Sequence, residues 1–181
     1  MVVGLTGPNA AGKGEVAAHL RELGFAIHSL SDVVREEAAR LGFPPEREHL
    51  IRIGNDLRRS GGPGILAERI LSRIASRDVV DSIRNPAEVE ALRSLPGFFL
   101  LGVDAPARLR FERSLARSRP GDPRTFEAFE ERERQENSSN PDAQQLLATL
   151  RLADKVITND GTLEALQREV DRAAAPPLRL L

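Results

Sequence analysis

Residues 4–15 read GLTGPNAAGKGE, and their chemistry is apparent before any fold is considered. Gly7, Gly12 and Lys13 fall at the spacing G-x-x-x-x-G-K. A polyanion needs backbone N–H donors aimed into a concavity, and glycine lets the chain turn that way. The N-terminus of a following helix adds partial positive charge, and Lys13 adds a full one. Gly7, Asn9, Ala10, Ala11, Gly12, Lys13, Gly14 and Glu15 are therefore expected to line a triphosphate site, with Lys13 reaching the β- and γ-phosphates. The chain holds only two lysines, Lys13 and Lys155, so a lysine in this loop is not background basic usage. The pattern departs from its usual form at Gly14, where Ser or Thr is common, and Glu15 adds a carboxylate beside the site.

Four further groups bear charges suited to phosphate chemistry. Asp32 and Arg35 stand three residues apart on one helical face. Asp32 suits orienting or deprotonating an acceptor, and Arg35 gripping its phosphate. Taken alone, the pair fits a helix cap plus a solvated charge better. In DSIRN, Asp81 suits holding Mg²⁺ through water and Arg84 suits a phosphate; a strand end with a helix cap before Pro86 is an even alternative. Arg110, Arg113 and Arg117 share a helix face and can surround a transferring phosphoryl group. Without the loop, a solvated face paired with Glu112 would be the better reading. Arg132 and Arg134 lie in a charged stretch over about 125–137 that is polar on most sides, and so reads equally as a lid or as a solvated helix.

These groups need elements that bring them together. Val2–Thr6 is a short apolar strand, and the glycine loop and an amphipathic helix ending at Gly24 follow it. Further strands are expected over 25–29, 78–83, 98–103 and 155–158. Helices are expected over 33–41 (capped by Ser31 or Asp32), 47–59, 65–74, 86–95, 106–119, 125–137, 144–152 and 162–173, with a loose tail over 174–181. Strands alternating with helices predict an α/β fold: three layers around a central parallel sheet of about five strands, with helices on both faces. One domain over 1–173 is expected, with a small mobile lid over about 118–141. Ligands of such sheets bind at the carboxyl ends of the strands, where Asp32, Asp81 and Arg84 all fall.

Composition narrows the function classes. The 181 residues carry 26 basic and 27 acidic side chains, a net charge of −1, and neither Trp nor Tyr, which disfavours a nucleic-acid partner. There is no cysteine, so disulfides, thiol catalysis and thiolate metal sites are excluded. His19, His28 and His49 lack metal-ligand spacing. No apolar run nears the roughly 20 residues of a membrane span, and no export signal is visible, so a cytoplasmic protein without a membrane partner is expected.

The order of motifs resembles the nucleoside monophosphate kinases of the P-loop class, adenylate kinase and its relatives. Their loop commonly reads G-K-G-T, so Gly14 resembles a family trait. Their S-T-G-D-x-x-R is similar to Ser29 through Arg35, their D-G-F-P-R to Asp81 through Arg84, and their D-x-P helix with two arginines to Asp104, Pro106, Arg113 and Arg117. Their late V-D-G-T is similar to Asn159 through Thr162. The resemblance implies ATP and Mg²⁺ as cofactors and a nucleotide-like small molecule as acceptor. It further implies donor phosphates on Lys13 and the loop, the donor base bordered by Asp160 and Gly161, and the acceptor phosphate on Arg35 and Arg84. Arg113, Arg117 and the lid arginines would hold the transferring group. Glu15 replaces the family's Thr, and residues 44–64 are not adenylate-kinase-like. That part of the chain is more similar to archaeal dephospho-CoA-kinase-like proteins and to the kinase-like region preceding some bacterial deoxycytidylate deaminases; the H-x-E and P-C-x-x-C deaminase signature is absent. Transfer to a monophosphate, transfer to a hydroxyl, and a nucleotide-binding sensor without turnover all stay open, as does a homodimer.

Overall fold

A computed structural model describes residues 1–118 and 121–178. Five parallel strands lie in the order β2-β3-β1-β4-β5. They are β1 (Val2–Thr6), β2 (Ala26–Ser29), β3 (Asp78–Ile83), β4 (Phe98–Asp104) and β5 (Lys155–Thr158). The period-2 alternation of the central strands sorts their side chains onto two faces. Val2, Val80, Ile83 and Leu100 pack with α2 (Leu30–Arg40), α3 (Arg47–Gly61), α4 (Ile65–Glu68) and α5 (Pro86–Leu92). Val3, Leu5, Val79, Leu101 and Val103 pack with α1 (Lys13–Glu22) and α9 (Leu163–Leu178). The expected three layers are thus built. Among the described residues, no helix is long and apolar enough to cross a membrane.

Strands β2 and β3 lie on one side of β1, and β4 and β5 on the other. The chain reverses its winding direction at β1, which opens a crevice at the carboxyl end of that strand. The glycine loop leaves β1 at this point.

Several boundaries differ from expectation. Helix α2 begins directly after β2 because the Ser29 hydroxyl, not Ser31 or Asp32, caps it by accepting from the Ser31 N–H at 3.3 Å. Asp32 thereby enters the first helical turn, where a carboxylate complements the dipole. The helix expected over 65–74 is split into α4 and a 3-10 turn over Leu71–Arg73, after which Ile74 turns extended to lead into β3. The last helix runs on to Leu178 where a tail was expected from Ala174. Residues 119, 120 and 179–181, within the expected lid and tail, lie outside the described residues.

The stretch expected as a lid, about 118–141, holds α7 (Phe126–Gln135) and lies between α6 (Ala107–Arg117) and α8 (Leu146–Leu150). Helix α7 is polar on most sides, as expected, but carries one apolar strip: Phe126 and Phe129, three apart, face α6. Phe129 is 1% exposed. Its ring and that of Phe126 lie 5.7 and 5.6 Å from Phe111 of α6. The buried Arg110 of α6 adds an ion pair to Glu133 of α7.

Candidate active site

The loop fits tightly among its neighbours. Gly7 has φ 132° and Gly12 φ 108°. A Cβ on Gly7 would stand 2.0 Å from the Val103 carbonyl oxygen, and one on Gly12 would stand 2.2 Å from Asn159 Nδ2. Only glycine meets both constraints. Asn159, buried at the end of β5, donates from Nδ2 to the Ala11 carbonyl at 2.8 Å. Helix α1 starts at Lys13, so its first N–H groups and positive dipole end face the crevice.

Lys13 is half-buried and folds back across the loop, donating to the carbonyls of Gly7 at 2.7 Å and Pro8 at 2.8 Å. Desolvation, and next the Arg84 guanidinium, lower its pKa to about 8; Asp81 and Glu136 oppose the shift. A lysine held this way lacks a full counter-charge, which is the state a polyphosphate relieves.

Strand β3 is irregular where its chemistry lies. Gly4 pairs with Val80 but Thr6 pairs with Ile83, so two steps of β1 match three of β3. Ser82 takes up the surplus at φ 67°. Such a bulge re-aims side chains, and a non-glycine residue at positive φ stores strain. Here it bears on Asp81 and Ser82. One Asp81 oxygen, Oδ1, is buried with no hydrogen-bond partner. The guanidinium of Arg84 donates to Gln144 Oε1 at 2.9 Å, and burial lowers its pKa. Asn85 caps α5 in a capping box with Glu88 and reaches the carbonyls of Pro141 at 2.6 Å and Ala143 at 3.0 Å, pinning the segment after α7 to the end of β3.

The three arginines of α6 divide. Arg110 is structural: it donates to the Ala105 carbonyl at 2.8 Å and pairs with Glu133. Arg113 donates to the Asn159 carbonyl at 3.0 Å, and Arg117 donates to Asn9 Oδ1 of the loop at 3.1 Å and to Asp122 at 3.0 Å. Lys13, Arg113 and Arg117 thus gather about one loop, with Asp81 and Arg84 within electrostatic range of the lysine. A cleft of about 420 Å³ beside them is lined by Pro8, Asp104, Arg110 and Glu133 among others.

Other expected residues stand outside this group. Asp32 and Arg35 bind one another at 2.6 Å and are 60% and 53% exposed. Arg134 pairs with Glu131 in solvent, whereas Arg132 is half-buried 3.9 Å from Asp122. Glu15 is exposed, with no ion-pair partner among the described residues. Asp160 and Gly161 are exposed at the turn into α9. The sequence reading missed Asn159 as the clasp of the loop. It also missed Glu136 and Arg47, which form an ion pair beside Arg84; the pattern offered no signal for either, since both lie in ordinary charged helices.

A five-stranded parallel sheet in this order, with a glycine loop between its central strand and first helix, defines a P-loop kinase fold. TT1252 from Thermus thermophilus has this fold at a TM-score of 0.62, with 27% identity over 97% of each chain. Shikimate kinase from Aquifex aeolicus shares it at a TM-score of 0.57, with 16% identity over 98% of each chain. A gluconokinase from Sinorhizobium meliloti does so at 0.57, with 15% identity over 97% of this chain and 91% of its own. The chain belongs to the UPF0200 protein family. It is 35% identical over 176 residues to a UPF0200 protein of Hyperthermus butylicus, covering 95% of this chain and 92% of the relative. It is 33% identical over 180 residues to one from Pyrococcus abyssi, covering 94% of each. No family model matches.

Proposed function

We propose that the protein is an ATP-dependent phosphotransferase acting on a nucleotide-like small molecule. The observation that carries this reading is the convergence of three cations on one loop. Lys13 lies across Gly7 and Pro8, Arg117 bonds to Asn9, and Arg113 holds Asn159, which holds Ala11. Phosphoryl transfer asks a protein mainly for positioning and charge stabilisation. Loop N–H groups and Lys13 bind the donor's β- and γ-phosphates, Lys13 exchanging two carbonyls for anionic oxygens. Arg113 and Arg117 stabilise charge on the moving group. Arg84 holds an acceptor phosphate, and the exposed Asp160 and Gly161 border the donor base. The orphaned Oδ1 of Asp81 suits a water of a hydrated Mg²⁺, which when bound neutralises phosphate charge. The exposure of Glu15 supports turnover, because a solvated carboxylate repels the phosphates less than one facing them.

The acceptor class turns on Asp32 and Arg35. A monophosphate acceptor engages Arg35, so Arg35→Ala is then the more damaging change. A hydroxyl acceptor, as in dephospho-CoA, needs Asp32 as base, and the ranking reverses. The decisive experiment measures ADP release from ATP with a panel of nucleoside monophosphates and dephospho-CoA. Turnover well above the Lys13→Ala protein supports the proposal, and equality with that variant sinks it. Tight nucleotide binding without product after hours makes the protein a sensor instead.

A further inference from the structure

Arg47 is the first residue of α3, where a cation opposes the helix dipole, so this position is poor for stability. Its side chain is nonetheless drawn inward. Its Nε is buried without a hydrogen-bond partner, while its terminal nitrogen pairs with Glu136. Glu136 caps the C-terminus of α7 and is 5% exposed. Asn137 and Gln145, the next residues along, form an antiparallel bridge. That register sets Glu136 opposite Leu146, whose N–H donates to the Glu136 carbonyl at 3.4 Å. On the same short segment Gln144 accepts from Arg84, and the Gln145 N–H donates to the Arg84 carbonyl at 2.8 Å. Arg84, Arg47 and Lys13 therefore share one neighbourhood with two carboxylates, Asp81 and Glu136. The nearby Glu88 is committed to Arg58.

We infer that Arg47 and Arg84 form a site for a phosphate-monoester dianion, and that Glu136 occupies this site until the dianion displaces it. Without Glu136, Arg47 and Arg84 present two positive charges, which a dianion matches. A phosphate also offers acceptors in several directions, and so can satisfy the orphaned Nε that one carboxylate leaves bare. Because Glu136 caps α7, its departure frees that end of the lid from Arg47. Acceptor entry and lid movement are thereby coupled through one side chain. In the phosphotransferase reading, on which the ligand's role rests, this dianion is the acceptor's phosphate, and Arg47 joins Arg84 in holding it.

The test separates the two sites. Binding of ADP is measured by calorimetry, and binding of inorganic phosphate by ³¹P NMR titration at constant ionic strength, with and without saturating ADP. Arg47→Ala is expected to weaken phosphate at least tenfold while changing ADP affinity less than twofold. Glu136→Gln is expected to tighten phosphate several-fold, and Glu136→Asp, a shorter plug, serves if the first variant folds poorly. Phosphate affinity untouched by Arg47→Ala, or not improved in a folded Glu136 variant, overturns the inference. A protein that binds no ADP but shows Arg47-dependent phosphate binding upholds this site and overturns the kinase reading.

Discussion

Lys13 is the residue in which position and chemistry are most tightly joined. Its ammonium rests on two carbonyl oxygens, and desolvation followed by Arg84 brings its pKa to about 8 from 10.5. Bound polyphosphate favours the charged form and returns the pKa upward. Free and bound states then differ in proton content only above the lower of the two values. Once the terminal phosphate is fully ionised, nucleotide affinity is expected to fall as the pH rises through about 8, with a proton taken up on binding. Calorimetry at about pH 8.5 in two buffers of different ionisation enthalpy checks this: the apparent enthalpy should depend on the buffer there, with the sign of proton uptake. No buffer dependence at that pH, or the same dependence in a folded Lys13→Arg protein, would place the titrating group elsewhere. Asn159 shows how much a single amide can organise, since it takes up the space beside Gly12, holds the Ala11 carbonyl and presents its own carbonyl to Arg113.

Among the elements, α7 does what its composition conceals. Phe126 and Phe129 anchor a helix rich in charge, with Arg108 over the Phe126 ring at 4.1 Å and Arg110 over Phe129 at 5.6 Å. Helix α7 is thus held to α6 by an aromatic contact and tied to Arg47 by Glu136 at its C-terminal end. Phe129→Ala removes a fully buried ring and is expected to cost about 3–5 kcal/mol if α7 unfolds only with the whole domain. Hydrogen exchange gives the sharper readout. Loss of protection confined to α7, with little change in global unfolding, would show that the helix opens as its own unit. The bulge in β3 is the second element-level device, because without its surplus residue Asp81 and Ser82 would follow the regular alternation of the strand.

For the molecule as a whole, the buried Arg58–Glu88 pair ties α3 to the start of α5. Arg58 is 3% and Glu88 0% exposed, and the second Glu88 oxygen takes the N–H groups of Arg84 and Asn85 at 2.8 and 3.1 Å. Removing one partner strands a buried charge, so Arg58→Met is expected to lower stability by about 3–5 kcal/mol in denaturant unfolding. The double change Arg58→Met with Glu88→Gln should recover part of it; no recovery would show that the pair does not act as a unit. The sequence alone determined the layers, the strand and helix order, the loop and the arginines of α6. Those features rest on periodicity and turn chemistry among residues a few positions apart. Tertiary structure alone decided that Asn159 clasps a loop 148 residues earlier and that Glu136 meets Arg47 across 89. It also separated Arg110, spent on Glu133, from Arg113 and Arg117, which reach the loop. A charged side chain on a helix has the same local pattern whether it ends in solvent or on a partner. The register of the sheet and the packing of helices on it set that outcome, through contacts between residues distant in the chain.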